Sequence, residues 1–292
     1  MEFSFLIVTR HRVAELLLTL SKLEPFVMEG RSEVLVFIDA CPETEALKSG
    51  FPWIRWSGSK TQLGASAARA QLYPQGKGKV FIGLDDDAHP VTKGFLDRVS
   101  EKFRNTAAGL LAFREIKGVF ADDDACLAYA GAAGNEYLAA DFIGSGFAIL
   151  RDVYMTTRGF PTWIDIYGEE TCVALEVLES GFEIRYVPSL VVNHRVDMAK
   201  RRASGQNYFR FERQLYNSFF IFIVYYRYPL KRILRLLFHN FRKYGLADRG
   251  YFKAYWRAVA VMIRKMPAVL RFRKPMSVDT ERKIKDLAGI PY

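Results

Sequence analysis

Three consecutive carboxylates, Asp85-Asp86-Asp87, follow the apolar run Val80-Phe81-Ile82-Gly83-Leu84 and precede Ala88-His89-Pro90. An apolar run of strand length that ends in acid and then meets a proline reads as a buried strand opening into a loop. In open parallel α/β sheets the ligand crevice lies beyond the carboxyl ends of the strands, so these acids sit where a ligand is expected. Adjacent carboxylates repel one another unless a cation lies between them. A divalent ion such as Mg²⁺ or Mn²⁺ meets that need, because it takes hard oxygen ligands and shares them with substrate phosphates. Asp85 and Asp87, two apart, can face one ion. The competing reading is a solvated acidic turn, or the N-cap of a helix over Thr92 to Lys102.

Other residues of chemical interest are spread along the chain. Asp39 ends the strand-like run Glu33 to Ile38, and is either a turn residue or an acceptor for a nucleotide's base or ribose. Gly64 and the small residues after it open a helix, whose N-terminus can either receive phosphate or lie tight against the sheet. Gly144 and Gly146 interrupt the apolar run Asp141 to Leu150, which marks either backbone passing close to a ligand or a bulge. Glu169 and Glu170 stand at the start of a helix, where the dipole alone favours acid. A lone His194 closes a β segment. Asp122-Asp123-Asp124, a second acidic triplet, reads as an exposed loop or turn.

The elements that must position these residues form an α/β pattern. Phe3 to Thr9, Glu33 to Ile38, Ile54 to Trp56 and Val80 to Leu84 read as strands that precede or flank helices such as Val13 to Leu23, which predicts a mainly parallel sheet. Leu110 to Ile116, Phe182 to Pro188 and Leu190 to His194 supply further β segments. At 292 residues, half of them hydrophobic, the chain can bury a large core. Its three widely spaced cysteines fit neither a disulfide framework nor a zinc site and read as reduced thiols, and no signal-peptide pattern opens the sequence, so a cytoplasmic protein is expected.

Charge divides the chain. Residues 1–194 carry 19 basic and 26 acidic residues, net −7, whereas residues 195–292 carry 23 basic and 6 acidic, net +17, together with many aromatics. A boundary is expected near Arg195, with one domain over 1–195 and a helical region over 196–292.

In this order the segments resemble the family 2 glycosyltransferases of the GT-A fold, over roughly residues 3–195. Phe5-Leu6-Ile7-Val8-Thr9-Arg10 looks like that family's opening strand, Ile38-Asp39 its nucleotide-facing acid, Leu63 to Arg69 its Leu-Gly helix and Leu84 to Asp87 its DxD motif. Gly144 to Arg151 is similar to its acceptor-side strand, Gly168-Glu169-Glu170 to its Gly-Glu-Asp, and Val191 to His194 closes the domain. The chain departs from the pattern with Glu170 in place of Asp and Cys172 where a second Asp is frequent.

The resemblance implies a GT-A domain with a mixed, mainly parallel sheet flanked by helices, and a metal-dependent, inverting glycosyl transfer, as in the rhamnosyltransferase-like enzymes of bacterial surface polysaccharides. Thr9, Arg10, Asp39, Gly64, Arg69, Asp85 and Asp86 would hold a UDP-, dTDP- or GDP-type sugar donor. Asp85, Asp87 and His194 would hold Mn²⁺ or Mg²⁺, Glu170 would be the general base, and Glu169 would neighbour it in the acceptor pocket. The acceptor would be a glycan or a lipid-linked glycan. The alternative is a non-catalytic sugar-nucleotide or polyanion-binding protein on the same fold.

The C-terminal region reads as helices crowded with aromatics and cations. Its longest largely uncharged run, Gln214 to Tyr226, falls short of the about 20 residues that cross a bilayer. Lys231, Arg232 and Arg235 interleave with Ile233, Leu234, Leu236, Leu237 and Phe238 as in an interfacial amphipathic helix, which predicts docking at the anionic inner face of the cell membrane; a helical subdomain packed on the catalytic domain is the other reading. No nucleic-acid-binding module is recognisable.

Overall fold

Apolar side chains alternate between two covered faces in the first strands, and this is what makes the sheet central. In the computed structural model, which describes residues 1–197 and 207–291, Phe3, Phe5 and Ile7 enter one core while Leu6 enters the other, and Val80, Ile82 and Leu84 divide from Phe81 in the same way. The elements run β1 (Phe3–Thr9), α1 (Val13–Met28), β2 (Ser32–Asp39), α2 (Pro42–Glu45), β3 (Ile54–Ser59), α3 (Ala65–Leu72), β4 (Val80–Asp85), β5 (Ala88–Pro90), α4 (Phe95–Asn105), β6 (Ala108–Lys117) and α5 (Asp123–Ala130). They continue with β7 (Tyr137–Leu138), β8 (Gly146–Leu150), α6 (Arg151–Thr156), α7 (Glu169–Glu179), β9 (Glu183–His194), α8 (Tyr208–Tyr225), α9 (Leu230–Asn240), α10 (Arg249–Leu270) and α11 (Val278–Asp286).

The described strands form one sheet in the order β3-β2-β1-β4-β8-β6-β9-β5, with β7 on β9. The first four pair in parallel. β8 then runs antiparallel to both β4 and β6, β6 and β9 are parallel, and β5 and β7 lie antiparallel on β9. The sheet is mixed, with helices on both faces: Leu16, Leu20 and Leu23 of α1 fill one core and Ala68, Leu72, Val173 and Val177 of α3 and α7 the other.

Several local expectations change. Asp86 and Asp87 turn directly into β5, so Pro90 lies in a short terminal strand, where its missing N–H costs the ladder nothing. The two β segments over 182–194 are one strand, β9, which shifts register against β6 between Phe113 and Arg114. Asp122 caps α5 by accepting from Ala125 N (2.8 Å), Asp123 pairs with Lys22 (2.9 Å), and Asp124 pairs with Lys93 (3.2 Å). The second acidic triplet is therefore a helix N-terminus, where the backbone N–H groups and dipole favour acid.

In the C-terminal region α8, α9 and α10 share an aromatic core with Ile164, Cys172 and Leu175 of the preceding part. After α11 the chain returns to the sheet, where Ala288 bridges Ala139 and Ile290 is buried. At Asn240 α9 passes into a π-helical turn, Phe241–Gly245. No helix among the described residues is long and apolar enough to cross a membrane.

Candidate active site

The three acids after β4 point in three directions, because a turn in place of a strand abolishes their alternation. Asp85 Oδ1 accepts from Arg69 Nη2 at 2.7 Å, and no bond is made to its Oδ2 among the described residues. Asp86 is buried, accepts from Thr9 Oγ1 at 2.8 Å and pairs with Arg12 Nη1 at 3.1 Å. Burial, against the pull of Arg12 and Thr9, pushes its carboxyl up to about 7. Asp87 is fully buried, its Oδ2 held by Arg12, while its Oδ1 has no well-formed hydrogen bond and lies 3.2 Å from His194 Nε2. Burial would raise Asp87, but His194 and Arg12 hold it down at about 2.

The cations that relieve the acidic triplet are thus in part arginines, and Arg12 is one the sequence left unassigned. What remains for a metal is a smaller set. One donor atom each of Asp85, Asp87 and His194 lies within 4.8 Å of the others. His194 Nδ1 bonds Glu115 Oε1, which also accepts from Ser145 Oγ at 2.8 Å, while Lys117 Nζ sits 3.0 Å from Glu115 Oε2. A carboxylate behind an imidazole whose other nitrogen faces two further carboxylates is the outer arrangement that orients metal-ligating histidines. Burial lowers the imidazole's pKa, but Asp87, Glu115 and Asp85 push it up to about 10, so in the absence of an ion an imidazolium does what a divalent cation would do here. The orphaned buried Oδ1 of Asp87, the oxygen-rich donor set and the Glu115–His194 support fit Mn²⁺ or Mg²⁺. Glu115→Gln should lower Mn²⁺ affinity about 10–100-fold without unfolding the chain, as titration calorimetry and thermal melting together would show.

Arg69, on α3, organises the other side. Nη1 reaches Glu170 Oε1 at 2.9 Å and Glu169 Oε1 at 3.3 Å, and Nη2 holds Asp85. It is buried, and its guanidinium pairs with three carboxylates, where the sequence suggested a donor contact. Glu169, expected in the acceptor pocket, is buried with Oε2 unpartnered and does not line the cleft. Burial and the neighbouring Glu170, against Arg69, drive its carboxyl well above the ordinary range. Glu170 does line the cleft. Gly144 makes room for this pair, since a Cβ there would lie 2.2 Å from Glu170 Oε1 and 2.8 Å from Arg69 Nη2. The glycine allows a close approach to the protein's own ion pair at a point where it also lines the cleft. Cys172, the other departure from the family pattern, is buried in the C-terminal core and away from the cleft.

The structure places four more residues expected at the donor, Thr9, Arg10, Asp39 and Gly64, as follows. Thr9 is buried and spends its hydroxyl on Asp86. Gly64 has φ 87° and donates to Asp39 Oδ2 at 3.0 Å, while Leu63 N donates to Oδ1 at 2.7 Å, so Asp39 is a buried anchor for the loop into α3. The α3 N-terminus is not open to phosphate, because Ser66 N donates to Asp165 O (3.2 Å) and Ser66 Oγ to Pro161 O (2.6 Å). Arg10 follows β1 with its buried Nε unpartnered.

Asp85, His194, Glu115, Ser145, Glu170 and Thr171 converge on an open cleft of ≈ 440 Å³, which Lys117, Asp141, Tyr167, Arg210 and Gln214 also line. Asp141 accepts from Thr171 Oγ1 (2.7 Å) and Phe142 N (2.9 Å), and burial pushes it up to about 7 against those bonds. Glu115 and Asp141 were missed from the sequence. The signal for Glu115 was an Arg-Glu pair inside an apolar strand; for Asp141 there was only a carboxylate at the edge of a small-residue run.

No protein-family model matches the chain, and no curated protein sequence matches it. Solved structures do. A mannosyltransferase from Pyrobaculum calidifontis in complex with GDP-Man and Mn²⁺ superposes with a TM-score of 0.58 at 16% identity, over 97% of this chain and 78% of that one. GalNAc-T7 with UDP, GalNAc and Mn²⁺ gives 0.62 at 13% identity, over 95% of this chain and 60% of that one. Residues 1–349 of S. aureus TarS give 0.57 at 12% identity, over 98% and 90%. With its mixed sheet, flanking helices and acids at the carboxyl edge of β4, the chain has the GT-A glycosyltransferase fold.

Proposed function

We propose that the chain is a metal-dependent, inverting glycosyltransferase that moves a sugar from a nucleoside-diphosphate donor to a hydroxyl of a glycan or lipid-linked acceptor in cell-surface polysaccharide synthesis. The observation that carries the reading is the cluster of Asp85, Asp87 and His194 donor atoms at a cleft that Asp85, His194 and Glu170 line, with Asp87 buried behind it. Asp85, Asp87 and His194 would hold Mn²⁺ or Mg²⁺, which would supply positive charge to the departing nucleoside diphosphate. The chain's own residues do the rest. Glu170, oriented by Arg69, takes the proton of the acceptor hydroxyl as its oxygen attacks the anomeric carbon and the bond to the diphosphate breaks on the opposite face. Arg10, partly exposed just beyond β1, would reach the diphosphate. Arg210 and Gln214 also line an adjoining groove of ≈ 260 Å³ with Asn207, Ser218, Asn240, Tyr244 and Tyr251, whose amides and rings suit an acceptor sugar.

The test is release of nucleoside diphosphate from UDP-, dTDP- and GDP-sugars with Mn²⁺ present. Turnover that chelation abolishes supports the reading. Tight donor binding with no hydrolysis or transfer to any acceptor supports the non-catalytic alternative instead.

The C-terminal region supports docking at an anionic membrane surface. On α9 only Ile233 is buried, and Leu230, Leu234 and Phe238, spaced by four, form a stripe exposed by 67%, 58% and 68%. Trp256 and Ile263 of α10 are also more than half exposed. Apolar side chains left out of the core and interleaved with Lys231 and Arg235 match an interfacial face. Replacing Lys231, Arg232 and Arg235 by Gln should weaken binding to anionic liposomes by about 1 kcal/mol, roughly fivefold, per charge. A wild-type chain that does not sediment with such vesicles at low salt removes this part of the reading.

A further inference from the structure

A second cluster of ligating side chains lies between the β1–α1 and β2–α2 loops. His11 Nδ1 is 3.6 Å from Cys41 Sγ and 3.6 Å from Glu43 Oε2, and Cys41 Sγ is 3.9 Å from Glu43 Oε2. Zinc bonds of about 2.3 Å to sulfur and about 2.0–2.1 Å to nitrogen and oxygen, at tetrahedral angles, give donor separations of about 3.4–3.6 Å. The observed triangle is nearly one face of that tetrahedron. Two features of the backbone bring it about: His11 and Ala40 adopt φ of 56° and 52°, a conformation uncommon outside glycine, and so turn both loops toward each other. The sulfur accepts from Thr44 Oγ1 at 3.2 Å and His11 N at 3.4 Å, bonds that favour the thiolate a metal requires.

Access is one-sided. Cys41 is buried, whereas the His11 and Glu43 side chains are 53% and 71% exposed, which leaves the fourth position of a tetrahedron open to water or a ligand. Among the described residues, His11 and Glu43 make no side-chain bond or ion pair outside this cluster. The donor chemistry also separates this cluster from the cleft. Thiolate with imidazole and one carboxylate selects Zn²⁺, while the oxygen-rich set of Asp85, Asp87 and His194 suits Mn²⁺ or Mg²⁺.

We propose that Cys41, His11 and Glu43 bind Zn²⁺, and that the ion clamps the loop carrying Arg10 and Arg12 to the end of β2, two residues beyond Asp39. The site is structural or regulatory and stands apart from the transferase chemistry.

Cobalt tests it in the full chain, because Co²⁺ occupies zinc sites and a thiolate ligand gives a sulfur-to-cobalt charge-transfer absorption in the near ultraviolet. One equivalent of Co²⁺ should produce that band in wild type and in Asp87→Asn, and Zn²⁺ should bleach it and raise the melting temperature. Cys41→Ser should lose the band. Glu43→Gln, an exposed and conservative change, and His11→Asn, which tolerates a positive φ, should each lose at least about 10-fold in Co²⁺ affinity, since even a partner behind a ligand is worth 10–100-fold. No band in wild type, a band that survives Cys41→Ser, or unchanged affinity in Glu43→Gln overturns the proposal. None of these readouts depends on glycosyl transfer.

Discussion

Glu170→Gln is expected to lose about 10²–10⁴-fold in kcat, the usual cost of removing a positioned general base, with nucleotide affinity nearly unchanged. Gln keeps the side chain's length and its bond to Arg69 Nη1, now through the amide oxygen, but cannot accept the hydroxyl proton. Glu169→Gln is the informative partner. Burial and the neighbouring Glu170 raise its carboxyl well above the ordinary range, which favours the neutral form, and a neutral amide is close to an isostere of that form. Turnover and melting temperature of Glu169→Gln should therefore stay near wild type, although the two glutamates are adjacent and share one arginine. Steady-state kinetics with a matched donor and acceptor decides the matter. Wild-type kcat in Glu170→Gln would pass the role to Asp141, the cleft carboxyl outside the Asp85 and Glu115–His194 set, which burial pushes up to about 7, within the range of a general base at neutral pH.

Asp87→Asn should abolish Mn²⁺-dependent nucleoside-diphosphate binding. It removes the charge from the one buried acid with an unsatisfied oxygen facing His194. Loss of a ligand exceeds the 10–100-fold typical of partners behind ligands, so Mn²⁺ affinity should fall by at least about 100-fold. Asp86→Asn provides the comparison, because Asp86 faces Thr9 and Arg12 and burial raises it to about 7. Asp124→Asn, on an exposed pair with Lys93, should leave affinity unchanged. Calorimetry with Mn²⁺ and UDP, dTDP and GDP, run beside thermal melts, separates lost ligation from lost folding. Unchanged Mn²⁺ affinity in a folded Asp87→Asn protein would falsify the metal assignment.

The sequence by itself determined the elements and their ends. Period-2 and continuous apolar runs specify strands buried on both faces, and acids or turn residues end them, so Asp39, Asp85 and His194 were legible as strand termini from composition alone. Those elements gave the α/β class and the cleft edge, and the resemblance of the motifs to family 2 glycosyltransferases implied the GT-A fold. What the sequence could not determine was where each side chain points once the strand stops. Within β4 alternation fixes direction, but Asp86 and Asp87 lie in a turn, where backbone dihedrals set by packing decide that Asp86 faces Thr9 and Asp87 faces His194. Helix starts have the same ambiguity. Glu169 and Glu170 are both favoured by the dipole, and only the contact of α7 with Arg69 and Gly144 buries one and leaves the other in the cleft. Partners far apart in the chain, Glu115 with His194 and His11 with Cys41, carry no local signal at all, because the pairing of β6 with β9 and of β1 with β2 brings them together. Local patterns report burial and period, whereas the charge balance of the site rests on long-range contacts that exist only after the sheet has formed.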